Sequence, residues 1–405
     1  MPGTPSSDLR AGSERVPVVA ARCSDYELAA VRAALRRVLA PLGGMQAFVR
    51  GGERIALKPN LLLAASPESG ITTHPAVVAA VALEVLEAGA HPVVVESPGS
   101  GILYSRTVVD RVYRKTGLRA AAERHSFDLN LDMGWESVSN PQARLARRLD
   151  VVSPVLRADG VINLAKFKTH NFMTFTGAVK NMFGVVPGVS KVGYHGKLAD
   201  PKRFADMLLD IVGLVAPRLN IVDGITALEG SGPGTAGKAR QLGVLLASAD
   251  PVALDAACCR IACIDTHAVP VLVAARDRGL WTGHAKDVET VGIPLAELQV
   301  NDFELPGRLT RAVGVSSVAT VERLLRPVLR SAFSPLPHPK KGRCTKCGAC
   351  EQACPAGAIR MDEQVAAVDR SRCIRCYCCH EVCPVAAIDL EFSGMGRVVH
   401  RVGLV

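Results

Sequence analysis

The sequence predicts an α/β fold, a mostly parallel sheet with flanking helices, followed by a small α+β module. Three observations predict it. Short apolar runs of strand length alternate with longer stretches of helical spacing over most of the chain. A proline-rich stretch, SAFSPLPHPKKG, then interrupts this rhythm. Beyond it, nine of the thirteen cysteines crowd into residues 344–383.

Element by element, Val16–Ala21 reads as a buried strand, Tyr26–Leu42 as a helix and Arg54–Lys58 as a second strand. A helix over His74–Gly89 and a strand over Pro92–Ser97 complete a β–α–β–α–β order, which calls for parallel pairing. Asp110–Gly117 and Arg119–His125 continue helically, and Gly160–Lys168, Leu219–Asp223 and Leu242–Ser248 supply further strands. Helices are expected over Pro201–Val215 and Pro251–Cys263, the latter opened by Asp250 as cap and Pro251 in the first turn. The division is then a flexible tail (1–15), an α/β domain large enough for two subdomains (16–330), a Pro-rich linker (331–341), the cysteine module (342–392) and a C-terminal tail (393–405).

Of the 405 residues 48% are hydrophobic and 21% charged, as in globular rather than disordered chains. The formal charge is +10, yet residues 342–391 hold six basic against seven acidic side chains, so the excess lies in the α/β part. Such a surplus favours anionic partners. Aromatics at 4% supply no stacking platform, and no helix carries a dense basic face, so a nucleic-acid partner is not expected. The apolar run Pro75–Glu96 is broken by Glu84, Glu87 and Gly89, so no membrane span is expected either. The N-terminus lacks an apolar leader segment, which points to the cytoplasm, where clustered thiols stay reduced and bind metal.

Cys344, Cys347, Cys350 and Cys354 precede Pro355 with the spacing C-x2-C-x2-C-x3-C-P, and Cys373, Cys376, Cys379 and Cys383 repeat it before Pro384. Three closely spaced thiolates wrap one corner of an iron–sulfur cubane, while the fourth belongs to the other cluster. This spacing predicts two 4Fe-4S clusters. One is held by Cys344, Cys347, Cys350 and Cys383, the other by Cys373, Cys376, Cys379 and Cys354. Zinc, the alternative for paired C-x2-C units, does not call for this doubled pattern. The small α+β module therefore resembles bacterial two-cluster ferredoxins over about fifty residues. A ninth thiol, Cys378, reads as a small residue in a tight loop, with a redox or ligand-exchange role as the alternative.

Residues 160–199 contain no Asp or Glu but five Lys and two His. Lys166, Lys168 and His170 alternate along a strand, and a short helix opening near Thr174 or Thr176 carries Lys180 and Asn181. Lysines at a strand end beside a helix N-terminus suit an anion. Lys58 and Asn60 end another strand, and a glycine-rich turn from Glu96 to Gly101 ends a third. We expect substrate binding by Lys58, Asn60, Lys166, Lys168 and Asn181, with His170, Lys180 and Asp223 as candidate proton donors. The segment GPGTAGKA (232–239) matches a phosphate loop but has Ala where magnesium needs Ser or Thr, and it leads into a strand. A mobile substrate-covering loop is expected there instead. Cys258, Cys259 and Cys263 read as small core residues of one helix, and Asp255 as a surface acid or lysine partner.

IALKPNLL, GVINLAKFKTHNFMTFTGAVKNMFG, IVDGITALEGSGPG and ASADPVALDA together resemble a large prokaryotic domain-of-unknown-function family, over about residues 16–300. Its members frequently carry a C-terminal ferredoxin module. The resemblance implies that these loops form one site working with iron–sulfur chemistry, and it implies no substrate. The expected function is an iron–sulfur oxidoreductase that exchanges electrons with a low-potential donor or acceptor protein and acts on an anionic small molecule. The alternative is a non-enzymatic electron carrier or metallocofactor maturation partner. No G-x-G-x-x-G fingerprint follows a strand, so the clusters are the only cofactors expected.

Overall fold

The computed structural model describes residues 17–284, 288–306 and 335–392. The expected tails and residues 331–334 of the linker lie outside the described residues. The strands of the first part are β1 (Val18–Arg22), β2 (Arg54–Pro59), β3 (His91–Val94), β4 (Asp128–Leu129), β5 (Trp135–Ser139), β6 (Arg148–Val152), β7 (Gly160–His170), β8 (Thr174–Thr176), β9 (Leu219–Gly230), β10 (Gly237–Ser248) and β11 (Thr290–Gly292). Nine of them make one sheet, ordered β11-β1-β10-β9-β7-β2-β3-β4, with β8 paired to β7. Five neighbour pairs are parallel, and β1/β10, β9/β10 and β7/β8 are antiparallel. The mostly parallel α/β sheet read from the sequence is present. β5 and β6 form a separate hairpin.

Strand residues alternate between two apolar layers, as a period of two requires. Val19, Ile55, Leu57, Ile162 and Leu164 pack under helices Leu28–Leu39 and Pro75–Glu87. Val18, Ala56, Val161, Ala165 and Val222 face helices Pro201–Val215, Pro251–Ile261 and Pro270–Asp277. Asp250 starts its helix as expected, accepting from the N–H groups of Val252 (2.7 Å) and Ala253 (3.1 Å). Cys258 and Cys259 are fully buried, while Cys263 is exposed. Among the described residues no helix is long and apolar enough to cross a membrane.

Four local expectations change. No helix opens at Thr174 or Thr176: those residues form β8, folded back on β7 with Phe167 and Phe175 edge to face at 5.2 Å. The helix begins at Ala178, and its first N–H groups are taken by Asp255, which accepts from Ala178 (2.5 Å) and Val179 (3.2 Å). Asp255 is thus a buried cap rather than a surface acid, and it takes up two of the donors that an anion at that helix end would use. The glycine-rich stretch is a tight turn and not a long loop, because β9 and β10 pair as a long hairpin joined by residues 231–236 and Gly237–Ala239 already belong to β10. In the linker, Leu336–Pro339 is strand β12, an edge position that tolerates its prolines.

The cysteine module adds β13 (Ile359–Met361), β14 (Ala366–Val368) and β15 (Ile388–Glu391), with β12 antiparallel to β15 and β13 to β14. Short helices at Ala349–Gln352 and Cys378–Glu381 follow the two cysteine runs.

Candidate functional site

All eleven residues of β7 are buried, including Lys166, Lys168 and His170. Burying an ammonium group demands a partner for each proton, and the strand's neighbours supply them. Lys168 Nζ donates to Asn60 Oδ1 (2.8 Å), the Ile71 carbonyl (2.9 Å) and the Pro233 carbonyl (3.4 Å). Its orientation is set by a run of amides that reaches from the residue after β2 across β7 to β9. Asn60 donates to Asn181 (2.9 Å), Asn181 to Asn163 (2.7 Å), and Asn163 to Asn220 (2.9 Å).

Lys58, at the end of β2, donates to Glu96 Oε2 (2.8 Å) and the Pro59 carbonyl (2.7 Å). Ser97 and Pro98 turn their carbonyls to Lys191 Nζ, at 2.6 Å for Pro98. Gly184 lies against Glu96 and the end of Lys58, and any Cβ there would overlap both. The strand ends thus enclose a cavity of about 50 Å³, room for a few waters, lined by Asn60, Glu96, Ser97, Lys180, Asn181, Lys191, His195 and Glu381 among others. Lys58, Lys168, Lys180 and Lys191 outnumber Glu96 and Glu381 around it. Burial pushes all four ammonium groups below their ordinary range, Lys191 to about 7.

The sequence reading placed Lys166 and Asp223 in this site, but the structure puts them in a neighbouring closed network. Lys166 Nζ lies 2.7 Å from Asp223 Oδ2 and 3.0 Å from the Tyr26 hydroxyl, which donates to Asp223 Oδ1 at 2.9 Å. The Tyr26 ring stacks on His74 at 3.6 Å. Lys58, Lys168 and His170 stand behind the cavity wall, whereas Asn60, Lys180 and Asn181 line it. His170 Nδ1 accepts from Phe172 N–H (3.0 Å), which leaves Nε2 to carry the proton facing Glu381 Oε1 at 3.4 Å.

Glu96, Lys191, His195 and Glu381 were not singled out as site residues. Lys191 and His195 share a helix in the acid-free segment, a signal that was available. Glu381 was hidden inside the second cysteine motif, two residues after Cys379 and two before Cys383. Burial raises its carboxyl to about 7, against the pull of Lys180 and Lys168.

The module docks where this glutamate enters. Thr235 donates to the Cys383 carbonyl (2.6 Å), and His380 Nε2 lies 3.2 Å from the Ser231 carbonyl. The 231–236 turn is therefore pinned to the module rather than left as a free cover. Gly101, at φ +80°, meets the Ala353 backbone with no room for a side chain. Within the module, Cys344, Cys347, Cys350 and Cys383 line one cavity, and Cys354, Cys373, Cys376 and Cys379 line another. Ala358 N–H donates to Cys354 Sγ (3.2 Å) and Ala387 N–H to Cys383 Sγ (3.1 Å). Four sulfurs around each apolar cavity suit a four-iron cluster. Cys378 is fully buried against Ala353 and Val382, consistent with a small packing residue.

Fold and site together define a two-part iron–sulfur protein, an α/β domain with a basic cavity closed by a dicluster module. The chain belongs to the family described as a domain of unknown function (DUF362), whose model matches residues 55–260, and residues 343–387 match a 4Fe-4S dicluster domain. It is 36% identical over 299 residues to a thylakoid-associated protein of Synechocystis sp., covering 70% of this chain and 86% of that one. Among solved structures it is similar to the lactate racemase apoprotein of Thermoanaerobacterium thermosaccharolyticum, at 12% identity and a TM-score of 0.36. That likeness covers 59% of this chain and 57% of the racemase chain. A Thermotoga maritima protein gives 11% and 0.33 over 52% of this chain and 53% of its own.

Proposed function

We propose that the protein is an oxidoreductase that exchanges electrons with a partner protein through two 4Fe-4S clusters and acts on a small anion in the lysine-lined cavity. The observation that carries this reading is Glu381. It is flanked by two proposed cluster ligands, Cys379 and Cys383, and it lines the cavity. Bound clusters supply single electrons. The remaining work falls to side chains of the α/β domain. Lys180 and Lys191 attract the anion, while Asn60 and Asn181 orient it. Lys180, whose ammonium is destabilised by burial, is the proton donor best placed on the wall. Asp223, closed in its own ion pair, has no such place. Cytoplasmic residence belongs to the same proposal.

The test is anaerobic protein with reduced clusters, titrated with phosphate and followed by electron paramagnetic resonance. Phosphate is expected to shift the cluster signals, and Lys180→Met to weaken its binding by about tenfold or more. Phosphate that binds without touching the spectrum would sever the cavity from the clusters and sink the proposal.

A pH dependence follows from Lys191. Burial lowers its ammonium to about 7, with Glu96 opposing and Lys58 and Lys180 assisting. Anion affinity is expected to fall as pH rises through 7, with proton uptake on binding, measurable by calorimetry in buffers of different ionisation enthalpy. In the empty protein the unfolded lysine keeps its proton to about 10.5, while the folded one releases it near 7. The unfolded state then binds more protons, so this group makes stability rise with pH across that window.

A further inference from the structure

We propose that the cavity takes a small oxyanion carrying a hydrogen-bond donor beside its charged group, with Glu96 reading the donor and the lysines reading the charge. This rests on the cavity being the substrate site. Glu96 is only 4% exposed and its two oxygens are unequal. Oε2 accepts from Lys58 Nζ (2.8 Å) and from Leu61 N–H (3.1 Å). Oε1 has no hydrogen-bond partner among the described residues, although it is buried. Ser97 Oγ and His195 Nδ1, on residues lining the same cavity, also lack partners.

A buried carboxylate oxygen left without a donor is costly, and a native site holding one implies that a donor arrives from elsewhere. Oε1 lies against Gly184, at the cavity wall, in space that any other residue's Cβ would fill. The missing side chain at Gly184 lets Oε1 pack at the wall beside the end of Lys58. The opposite charge is supplied by Lys191, which uses two of its three protons on the Ser97 and Pro98 carbonyls. Lys180 adds a second ammonium and makes no side-chain hydrogen bond among the described residues. A bare anion would satisfy the lysines while facing Glu96 as a like charge. An anion with a neighbouring hydroxyl or amino group satisfies both sides.

The test is calorimetry on the anaerobic full-length protein with acetate, hydroxyacetate, methoxyacetate and phosphate. Methoxyacetate keeps the extra oxygen of hydroxyacetate but lacks its donor. Hydroxyacetate is expected to bind at least about tenfold more tightly than acetate or methoxyacetate. In Glu96→Gln the amide oxygen stays with Lys58 and the nitrogen takes the place of Oε1, so hydroxyacetate should lose its advantage over methoxyacetate, whose oxygen accepts from the amide equally well. Equal binding of the three carboxylates overturns the inference and leaves the basic cavity standing. If no anion binds, both this inference and the substrate-site reading fall. The wild-type series decides the matter even if the variant fails to fold.

Discussion

Asp223→Ala is expected to lower the unfolding free energy by about 3–5 kcal/mol. Lys166 and Asp223 are both fully buried, and their ion pair is closed by the Tyr26 hydroxyl. Removing the carboxylate strands an ammonium in the core and takes acceptors from the N–H groups of His74 (3.0 Å) and Ile225 (3.2 Å). Lys166→Met combined with Asp223→Leu removes both charges and should recover much of the loss, because the penalty comes from the unpaired charge rather than from the missing attraction. Denaturation of the parent, the Asp223→Ala protein and the double variant checks it. An Asp223→Ala protein as stable as the parent would mean that Lys166 reaches water.

The second large effect concerns the cysteines. Each run's fourth cysteine lines the cavity of the other run: Cys383 joins Cys344, Cys347 and Cys350, and Cys354 joins Cys373, Cys376 and Cys379. Cys383→Ala is therefore expected to cost the cluster of the first run, and Cys354→Ala that of the second. Iron content should drop from about eight to about four per chain in each case, with different signals surviving in paramagnetic resonance. If Cys383→Ala instead spared the first run's cluster and lost the second's, the proposed crossed ligation would be wrong.

The sheet was legible because its strands are short apolar runs with helices between them, and Asp250–Pro251 announces a helix start with two residues. The β9–β10 hairpin was not. Gly230, Gly232, Pro233, Gly234 and Gly237 read as a loop, and only pairing across the sheet shows that the strands run on to Gly230 and from Gly237. Thr174–Thr176 misled for a similar reason. A helix start and a strand turning back look alike locally, and the long-range Asp255 contact decides between them. In the site, the lysines stood out by their spacing in an acid-free stretch. Their sorting into two networks did not, because Lys166 and Lys168 alternate on one strand while a register break in the β7–β9 pairing separates them. Glu381 could not be read at all: a cavity wall supplied by a residue 201 positions after Lys180 leaves no local mark.

That distance along the chain has a consequence for biosynthesis. A polypeptide leaves the ribosome from its N-terminus, and domains tend to fold as they emerge. The lysine cavity is shaped by residues 60–195, but its last wall is residue 381, inside the segment that carries the cysteines. A nascent or truncated chain can thus fold its α/β half while that cavity still gapes. The complete wall exists only once the final module has been translated, folded and docked.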